Sequence, residues 1–422
     1  MNKNASSGEP PGGRWTIVIV GIILQLCLGS IYAYGVLRNP LLDHFKSKGL
    51  NPTAMDMTWP FIVFLAFFAL FMPLAGPYIR KMGPTRVCMA GGVLCGIGWL
   101  AASFATSPLM LIPLYGIIGG IGVGIAYGAP ITTSAQWFPD KCGLAVGLTV
   151  LGFGFSSAII TYATRFLLGS GWGIMNILQM FGIVFIVISI VMSMMLRFPP
   201  TGWKPACMAA TTSAATKVEF MRNQMSKTST FKGLWVCYTI GTLAGLTAIG
   251  IAGPVGKEVF ANAGMSTDLA NNLIFALILP FAICNGAARP IFGALTDKLT
   301  PKNTAILSYG LIIVACLVMY TGYSSVWAYI ICFCLLWGCL GGWLAIAPTA
   351  TASYFGMKDN AKNYGLVYTA YGAGAIIGGI VSAQAKDILG AFQPFFLIVA
   401  GLSVIGIFIA FALMKPPVAK HA

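Results

Sequence analysis

The chain alternates between long apolar stretches and short polar interruptions, and the pattern occurs twelve times. A helix needs about 20 apolar residues to cross the hydrocarbon core of a bilayer, so each stretch predicts one membrane-spanning helix. Charge, proline and glycine gather where the stretches stop, as at 80–84, 138–141 and 297–302. The predicted spans are 15–37, 57–79, 87–106, 109–135, 143–167, 173–196, 233–256, 270–296, 304–323, 326–352, 363–385 and 390–414.

Composition supports an all-α membrane protein. Hydrophobic residues make up 58% of the chain and charged residues 8%, whereas soluble globular proteins are about 25% charged. The net charge of +15 would suggest a nucleic-acid partner in a soluble chain. Here the positive residues lie in loops between apolar stretches, so we expect the lipid bilayer, and no nucleic acid, as the partner.

The distribution of positive charge predicts the orientation. An even number of spans puts both termini on one side, and 18 of the 25 lysines and arginines fall in the termini and the even-numbered loops. The positive-inside rule then predicts that both termini lie in the cytoplasm. We expect the protein to lie in the inner (plasma) membrane of the cell. The first apolar stretch is too long for a signal-peptide core and lacks a small-x-small motif, so we expect no cleavage.

One long polar segment, 197–232, divides the spans six and six. We therefore predict a cytoplasmic N-terminus (1–14), an N-terminal six-helix bundle (15–196), a cytoplasmic linker (197–232), a C-terminal six-helix bundle (233–414) and a cytoplasmic tail (415–422). Within the linker, 209–217 has the composition of a flexible tether, and 218–225 suits a short amphipathic helix.

The two halves also resemble each other. Glycine and proline are common at helix ends everywhere, but that does not explain a shared order of motifs. Internal duplication in a twelve-helix chain is typical of transporters that bind substrate near the midplane, between two pseudo-symmetric bundles. The matching segments are 76–84 with 293–301, 137–138 with 354–355, and 143–144 with 365–366.

Chemistry outside transport has little support. Nearly all of the eleven cysteines lie in apolar segments and read as small hydrophobic residues. The histidines are His44 and His421, far apart in sequence, so we expect no metal site. We find no phosphate-binding Gly-x-x-x-x-Gly-Lys-Ser/Thr motif, no Cys-His pair and no two-carboxylate site, and we expect neither an enzyme nor a cofactor.

The loop motifs at 76–84 and at 293–301, Gly-x-x-x-Asp-Lys-x-x-Pro, resemble those of the major facilitator superfamily, and the resemblance covers all twelve spans. It implies that superfamily's fold and a gating role for Gly76, Gly83, Asp297 and Lys298. Arg80 stands where the first-half motif usually has Asp. The resemblance thus implies a weakened gating pair in the first half and an intact one in the second.

Two further motifs narrow the family. They are Trp137-Phe138-Pro139-Asp140-Lys141-x-Gly143-Leu144-Ala145-x-Gly147 and Asn285-Gly-Ala-Ala-Arg289-Pro290. Both resemble the monocarboxylate transporter family, especially its bacterial branch with the oxalate/formate antiporter. The resemblance implies a small carboxylate anion as substrate.

Arg289 is the one charge inside the predicted eighth span, where a cation costs roughly 2.5 to 3.5 kcal/mol to insert. A guanidinium matches a carboxylate with two parallel donors. It can instead pair with a protein carboxylate or reach the surface, but Asp297 is eight residues, about 12 Å, away. We therefore expect the substrate to supply the counter-charge. Asn285 shares the helix face of Arg289 and is a second candidate contact, although asparagine also joins helices in membranes.

Departures from the family pattern bear on substrate charge and coupling. Animal monocarboxylate transporters have Asp where this chain has Asn285, so their expected proton carrier is missing. Tyr371 stands where the oxalate branch has a lysine, and Val36 where animal relatives have one. Two cations suit a dianion and one suits a monoanion, because an unpaired charge in the cavity is costly.

Aromatic positions complete the predicted site. Tyr127 and Tyr32 match tyrosines that line the cavity in the oxalate branch, and we expect Tyr371 and Tyr368 to join them; each can also serve in packing. Leu340 and Leu344 replace aromatics of that branch. They predict an apolar wall that suits a short alkyl tail, as in lactate, pyruvate or propionate.

We therefore expect a secondary transporter of small monocarboxylates, functional as a monomer, that alternates access by rocking two bundles. Proton co-transport is the expected coupling. The proton would travel with the carboxylate or use a residue near a helix end, such as Asp387 or Glu258. The alternative is an exchanger of carboxylate anions; a channel or a non-transporting sensor also stays open.

Overall fold

A computed structural model describes residues 13–53, 56–57, 59–200, 203 and 219–417; for Val36, 379–380 and 382–389 it describes the backbone only. Within these residues the regular structure is helical, and the predicted all-α fold class is confirmed. The long helices are α1 (Trp15–Ala33), α2 (Trp59–Met82), α3 (Pro84–Ala102), α4 (Pro108–Trp137), α5 (Cys142–Gly169), α6 (Ile174–Met195), α7 (Ser229–Asn262), α8 (Thr267–Leu299), α9 (Pro301–Thr321), α10 (Val326–Phe355), α11 (Asn360–Leu389) and α12 (Gln393–Leu413).

Hydropathy and length agree with twelve membrane spans. In the described part of the chain, eleven of these helices are long and apolar enough to cross a bilayer. Helix α11 is the twelfth, and many of its side chains lie outside the described set, as does the side chain of Asp387. The sequence placed the end of the first helix at 37, yet after a 3-10 segment, Gly29–Ala33, the helix continues as Tyr34–Ser47. Hydropathy marks where a helix leaves the lipid, not where it ends.

Helix α4 is built from several pieces. A π-helical turn, Ile112–Ile117, follows the short α-helix Pro108–Leu111, and it contains Pro113, which cannot donate a backbone hydrogen bond. Beyond this turn, glycines bring α4 close to its neighbours. A Cβ added at Gly122 would lie 2.3 Å from the Cys95 nitrogen, and one at Gly120 would lie 2.5 Å from the Phe64 carbonyl oxygen. The glycines of this helix therefore serve backbone packing.

The helices pair in the same way in both halves. Within the first half α1 lies against α5 and α3 against α6; within the second, α7 lies against α11 and α9 against α12. The two most extensive contacts between the halves are those of α5 with α8 and of α2 with α11. We call the side where α1 begins and α2 ends the terminal face, and the opposite side the far face.

Backbone geometry repeats between the halves. Gly83 precedes Pro84 with φ 86° and ψ 159°, and Thr300 precedes Pro301 with φ 79° and ψ 153°. Each residue starts the helix that follows it, α3 or α9. The two matching loop motifs thus fold the same way, although only the first has the glycine that such a conformation favours.

Part of the linker lies on the terminal face. The amide of Phe220 donates to the Phe355 carbonyl over 3.0 Å, and the Asn363 side chain donates to the Phe220 carbonyl over 2.9 Å. One helical turn follows, Arg222–Met225, and the Met225 side chain is buried. A short helix thus lies inside the predicted amphipathic piece, while 209–217 lie outside the described residues.

Candidate substrate-binding site

Arg289 lies in α8 at the contact between the halves, and its side chain is fully buried. Nη1 donates to the Val150 carbonyl of α5 over 2.7 Å, and Nη2 donates to Asn285 Oδ1 over 2.9 Å. Nε has no partner. Among the residues that the structure describes, no carboxylate lies within ion-pair distance of the guanidinium. The charge is thus buried among neutral acceptors.

Asn285 holds the guanidinium in place. It lies one helical turn before Arg289, so the two side chains share a face as predicted. Its Nδ2 donates to the Trp337 carbonyl of α10 over 2.8 Å, while its Oδ1 accepts from Arg289. Both ends of the amide are therefore engaged, and α8, α10 and Arg289 are joined by one side chain. Direct contact of Asn285 with a substrate stays a prediction.

Gly154 of α5 allows the guanidinium to lie in this position. A Cβ added there would be 3.0 Å from Arg289 Nε, 3.0 Å from Asn285 Oδ1 and 2.7 Å from the Gly286 Cα. Since real Cβ contacts are rarely so short, any larger residue would push against both polar side chains. The glycine thus keeps space beside the one unpartnered nitrogen of Arg289.

A cluster of aromatic rings lies next to the charged group. The Arg289 Cζ lies 5.5 Å from the ring centroid of Phe153, within the range of a cation–π interaction. Tyr32 and Tyr127 both meet the Phe153 ring edge-on, with centroids 5.1 and 5.2 Å away. Phe68 of α2 lies 5.1 Å from Tyr127. These rings form a connected apolar wall, and Phe153 is the ring that contacts the guanidinium.

The four predicted tyrosines come together from both halves. The hydroxyls of Tyr32 in α1 and Tyr371 in α11 are 2.7 Å apart and hydrogen-bonded. Tyr371 stacks on Tyr368 with centroids 4.9 Å apart, and Tyr368 lies 5.1 Å from Tyr127. The Tyr127 hydroxyl is buried and has no partner. Their role in binding stays a prediction, but their proximity is a feature of the fold.

Tyr34 and Leu340 have packing contacts of their own. Tyr34 donates to the Met57 carbonyl over 2.8 Å and stacks on Tyr115, so it supports the far end of the first helix. Leu340 is buried in α10 and packs close to Gly245 of α7. Its role in an apolar wall is untested.

Two tyrosines of the cluster were missed by sequence reasoning. Tyr238 of α7 and Tyr364 of α11 are fully buried, and both hydroxyls lack partners. Their rings lie 6.3 and 5.8 Å from Tyr368. Tyr364 was detectable, because with Tyr368 and Tyr371 it forms an i, i+4, i+7 stripe on one helix face. Tyr238 is brought in only by packing between helices.

The second-half loop motif closes the terminal face. Asp297, at the end of α8, accepts from the backbone amides of Gly143 and Leu144 over 2.8 and 2.9 Å. The carboxylate thus caps the first turn of α5, where negative charge is favourable. Gly143 and Gly293 allow the contact, since a Cβ on either would lie 2.1 Å from the carbonyl oxygen of the other. Lys298 is exposed next to this contact.

The first-half motif lies at the contact between α2 and α11. There the first half carries a cation, whereas at the contact between α5 and α8 the second half carries a carboxylate. Gly76 of α2 lies so close to α11 that a Cβ there would be 2.6 Å from the Ala361 carbonyl oxygen. Arg80 forms an ion pair with Asp359, and Lys362 lies 3.6 Å from the same carboxylate. The gating pair of the first half was expected to be weakened, and this expectation needs correction. Arg80 still pairs across the halves, because the carboxylate stands before α11 instead of at the end of α2.

His44 and Tyr323 are two titratable groups that lie outside the spans on the far face. Burial, and then the nearby Lys48, lower the pKa of His44. Burial and the Glu258 carboxylate, which accepts from the Tyr323 hydroxyl over 2.7 Å, raise the pKa of Tyr323. Neither group is charged near neutral pH, because a lowered imidazole pKa and a raised phenol pKa both favour the neutral form.

Comparison with known proteins decides the family. The sequence profile of the Major Facilitator Superfamily matches residues 15–255 and 234–422. The chain belongs to the major facilitator superfamily. It is therefore a multi-pass membrane transporter by family, and the fold agrees with that assignment.

Relatives within the superfamily carry the narrower resemblance. The oxalate:formate antiporter of Oxalobacter formigenes is 28% identical over 97% of this chain and 94% of its own length. Monocarboxylate transporter 9 of Gallus gallus is 34% identical over 37% of this chain and 30% of its own length. The predicted resemblance to the monocarboxylate transporter family is confirmed.

A solved structure confirms the fold of this superfamily member. The transporter FucP, in its outward conformation, superposes with a TM-score of 0.67 at 14% sequence identity. The match covers 94% of this chain and all of that one. At this identity the likeness concerns the fold alone.

Proposed function

We propose that this superfamily member is a secondary transporter of small monocarboxylates, with Arg289 binding the carboxylate. Residues 15–196 and 233–414 act as two rocking bundles, and 197–232 links them. The protein works as a monomer in the inner (plasma) membrane, with both termini in the cytoplasm, and co-transports a proton.

One observation carries the proposal: Arg289 is fully buried between the halves, and no protein carboxylate pairs with it among the described residues. A buried guanidinium without a counter-charge is costly, and a bound carboxylate removes that cost. Two of its nitrogens donate to neutral oxygens and Nε is unpartnered, so donors remain for an anion.

The surroundings favour a monoanion. Arg289 is the sole cation in the described part of the aromatic cluster, and Tyr371 stands where a second cation would serve a dianion. A short alkyl tail suits the rings of Phe153, Tyr127 and Tyr368. Unpartnered hydroxyls of Tyr127, Tyr238 and Tyr364 suit a 2-hydroxyl or 2-oxo group.

Proton coupling lacks an obvious protein carrier in the described part of the cluster. Glu258 is near the end of α7, where it accepts from Tyr323. A proton carried by the substrate carboxylate itself is the simplest route. Protonation neutralises the carboxylate, so it also lowers the cost of releasing the substrate from Arg289.

Replacement of Arg289 tests the assignment. In proteoliposomes, Arg289→Gln is expected to lower lactate affinity at least about 100-fold, since a buried charged hydrogen-bond partner is lost. Arg289→Lys keeps the charge but not the two-point geometry, and a severe loss is also expected. Size-exclusion profiles and thermal melting of each variant control for folding. Wild-type lactate affinity in Arg289→Gln would refute the role of Arg289.

Anion exchange is the second candidate function. The oxalate:formate antiporter, similar over nearly the whole chain, favours it. Labelled lactate uptake into vesicles with and without internal carboxylate, each with and without a pH gradient, separates the two. Uptake into empty vesicles driven by a pH gradient supports symport, and strict dependence on internal carboxylate supports exchange. Saturable counterflow distinguishes either carrier from a channel or a sensor.

A further inference from the structure

The contact between α5 and α8 is closed on one side and opens into a cavity on the other. From the terminal face to Gly154, glycines bring the two backbones together at Gly143, Gly293 and Gly286. Towards the far face the helices separate around a cavity of about 390 Å³. Its described lining is Ala158, Thr161, Tyr162, Arg165, Asn272, Phe275, Ala276, Ile278 and Leu279.

The cavity lies on the helix faces that carry the central site. Ala158 is one turn beyond Gly154, which contacts Arg289. On α8, Ile278 is two turns before Asn285 and shares its face. The carbonyl that binds Arg289 belongs to Val150, fifteen residues, or about 22 Å along α5, from Arg165. The cavity is therefore in line with Arg289, on its far-face side.

The polar groups of the cavity suit a carboxylate. Arg165 is the sole charged residue in its described lining. The Arg165 Cζ lies 4.7 Å from the Phe275 ring centroid, so the contact spans from α5 to α8. The Thr161 hydroxyl is buried and has no partner, and Asn272 offers an amide. A guanidinium, a hydroxyl and an amide are all donors to carboxylate oxygens.

We propose that this cavity is a first binding station, where Arg165 captures the carboxylate before it moves to Arg289; the inference rests on the function proposed above. The apolar part of the lining, with Ala158 and Leu279, accommodates an alkyl tail. The volume lies in the range of small-ligand sites and exceeds that of one short-chain acid. Arg165 is exposed, so it attracts anions without the cost of a buried charge.

The two arginines therefore have different tasks. Capture by an exposed cation raises the local anion concentration and the association rate. Salt in the medium weakens this effect, because it screens the charge of the cation. The Phe275 ring holds the Arg165 side chain over the cavity by a cation–π contact. Arg289 is buried, and salt in the medium screens it much less.

Kinetics of Arg165→Gln test the station. We expect the KM for lactate to rise about fivefold at low ionic strength, with the maximal rate unchanged and the salt dependence of KM largely lost. Arg165→Lys keeps the charge, so we expect it to retain most of the wild-type affinity for lactate and most of the salt dependence of KM. Lys46→Gln removes a similar exposed charge elsewhere on the far face and controls for a general change in surface potential.

The outcomes separate this inference from the proposed function. Absence of any carboxylate transport by the wild-type protein would refute the proposed function itself. Normal wild-type transport with an unchanged KM and salt dependence in Arg165→Gln would overturn the station alone. An equal rise in KM for Lys46→Gln would also overturn it, because the effect would then be general. A lowered maximal rate would indicate a gating role instead of capture.

Discussion

At the scale of the residue, the arrangement around Arg289 keeps a cation in position without neutralising it. A backbone carbonyl and an amide oxygen fix two of its nitrogens, and Phe153 covers one side of the guanidinium. Neutral acceptors orient a charge but leave it electrostatically uncompensated. We expect such a site to bind an anion strongly in its low-dielectric setting, because a carboxylate of the protein would otherwise compete for the charge.

Gly154→Ala tests this arrangement without removing any charge. The added methyl would lie 3.0 Å from Arg289 Nε, so it must displace the guanidinium or block access to it. We expect the KM for lactate to rise about tenfold. Gly250→Ala in α7 is the matched control, because its Cβ would meet nothing within 4 Å. If both variants transport like the wild type, Nε does not face the substrate.

At the scale of the element, two contacts of opposite polarity close the terminal face. Asp297 on the second half caps α5 of the first, while Arg80 on the first half pairs with Asp359 before α11 of the second. Under the proposed alternating access, both contacts would have to break for the terminal face to open. The two matching loop motifs thus both join the halves, although one has Arg80 at the position where the other has Asp297.

A charge swap tests the Arg80 contact. Arg80→Asp and Asp359→Arg each place like charges together, and we expect about a tenfold loss of lactate uptake in either. The double variant restores an opposite pair and should recover uptake to within about threefold of the wild type. Uptake rates are measured at equal protein levels. Additive losses in the double variant would show that the pair does not act as a unit.

Thr300 gives a stability prediction for the same loop motif. It has φ 79° and ψ 153°, a conformation that residues other than glycine adopt at a cost of about 1–3 kcal/mol. Thr300→Gly should therefore raise the midpoint of thermal unfolding in detergent. Ser170→Gly, at a φ of −86°, is the control and should lower or not change it. A lower midpoint for Thr300→Gly would mean that its side chain stabilises the loop by more than the strain.

At the scale of the whole molecule, the halves meet through α5 with α8 and α2 with α11, and each contact brings backbones together on the terminal side. The buried site lies between them, where both halves contribute side chains. Rocking one half against the other would change access to Arg289 without rebuilding either half. The pseudo-symmetry of the chain therefore supports alternating access.

Membrane orientation is a prediction at this scale. Most loop lysines and arginines lie on the terminal side, which is therefore expected to face the cytoplasm. A reporter that works only in the cytoplasm should be active when it is fused after Ala422 or within 197–232, and a reporter that works only after export should be inactive there. A reporter inserted near Lys48, on the far side, should be active only when exported. Activity of an exported reporter at the C-terminus would reverse the assigned orientation and with it the side that Arg165 faces.

The sequence by itself determined the spans, the internal duplication and the position of Arg289. Each of these depends on local hydropathy or on motif order, which a linear pattern carries. Tertiary structure alone decided how Arg289 is held, since Val150, Trp337 and Phe153 come from other helices. The pairing of Arg80 with Asp359 and the addition of Tyr238 likewise arise where helices from distant parts of the chain meet. Contacts across helices depend on packing angles and on glycines, and no local period encodes them.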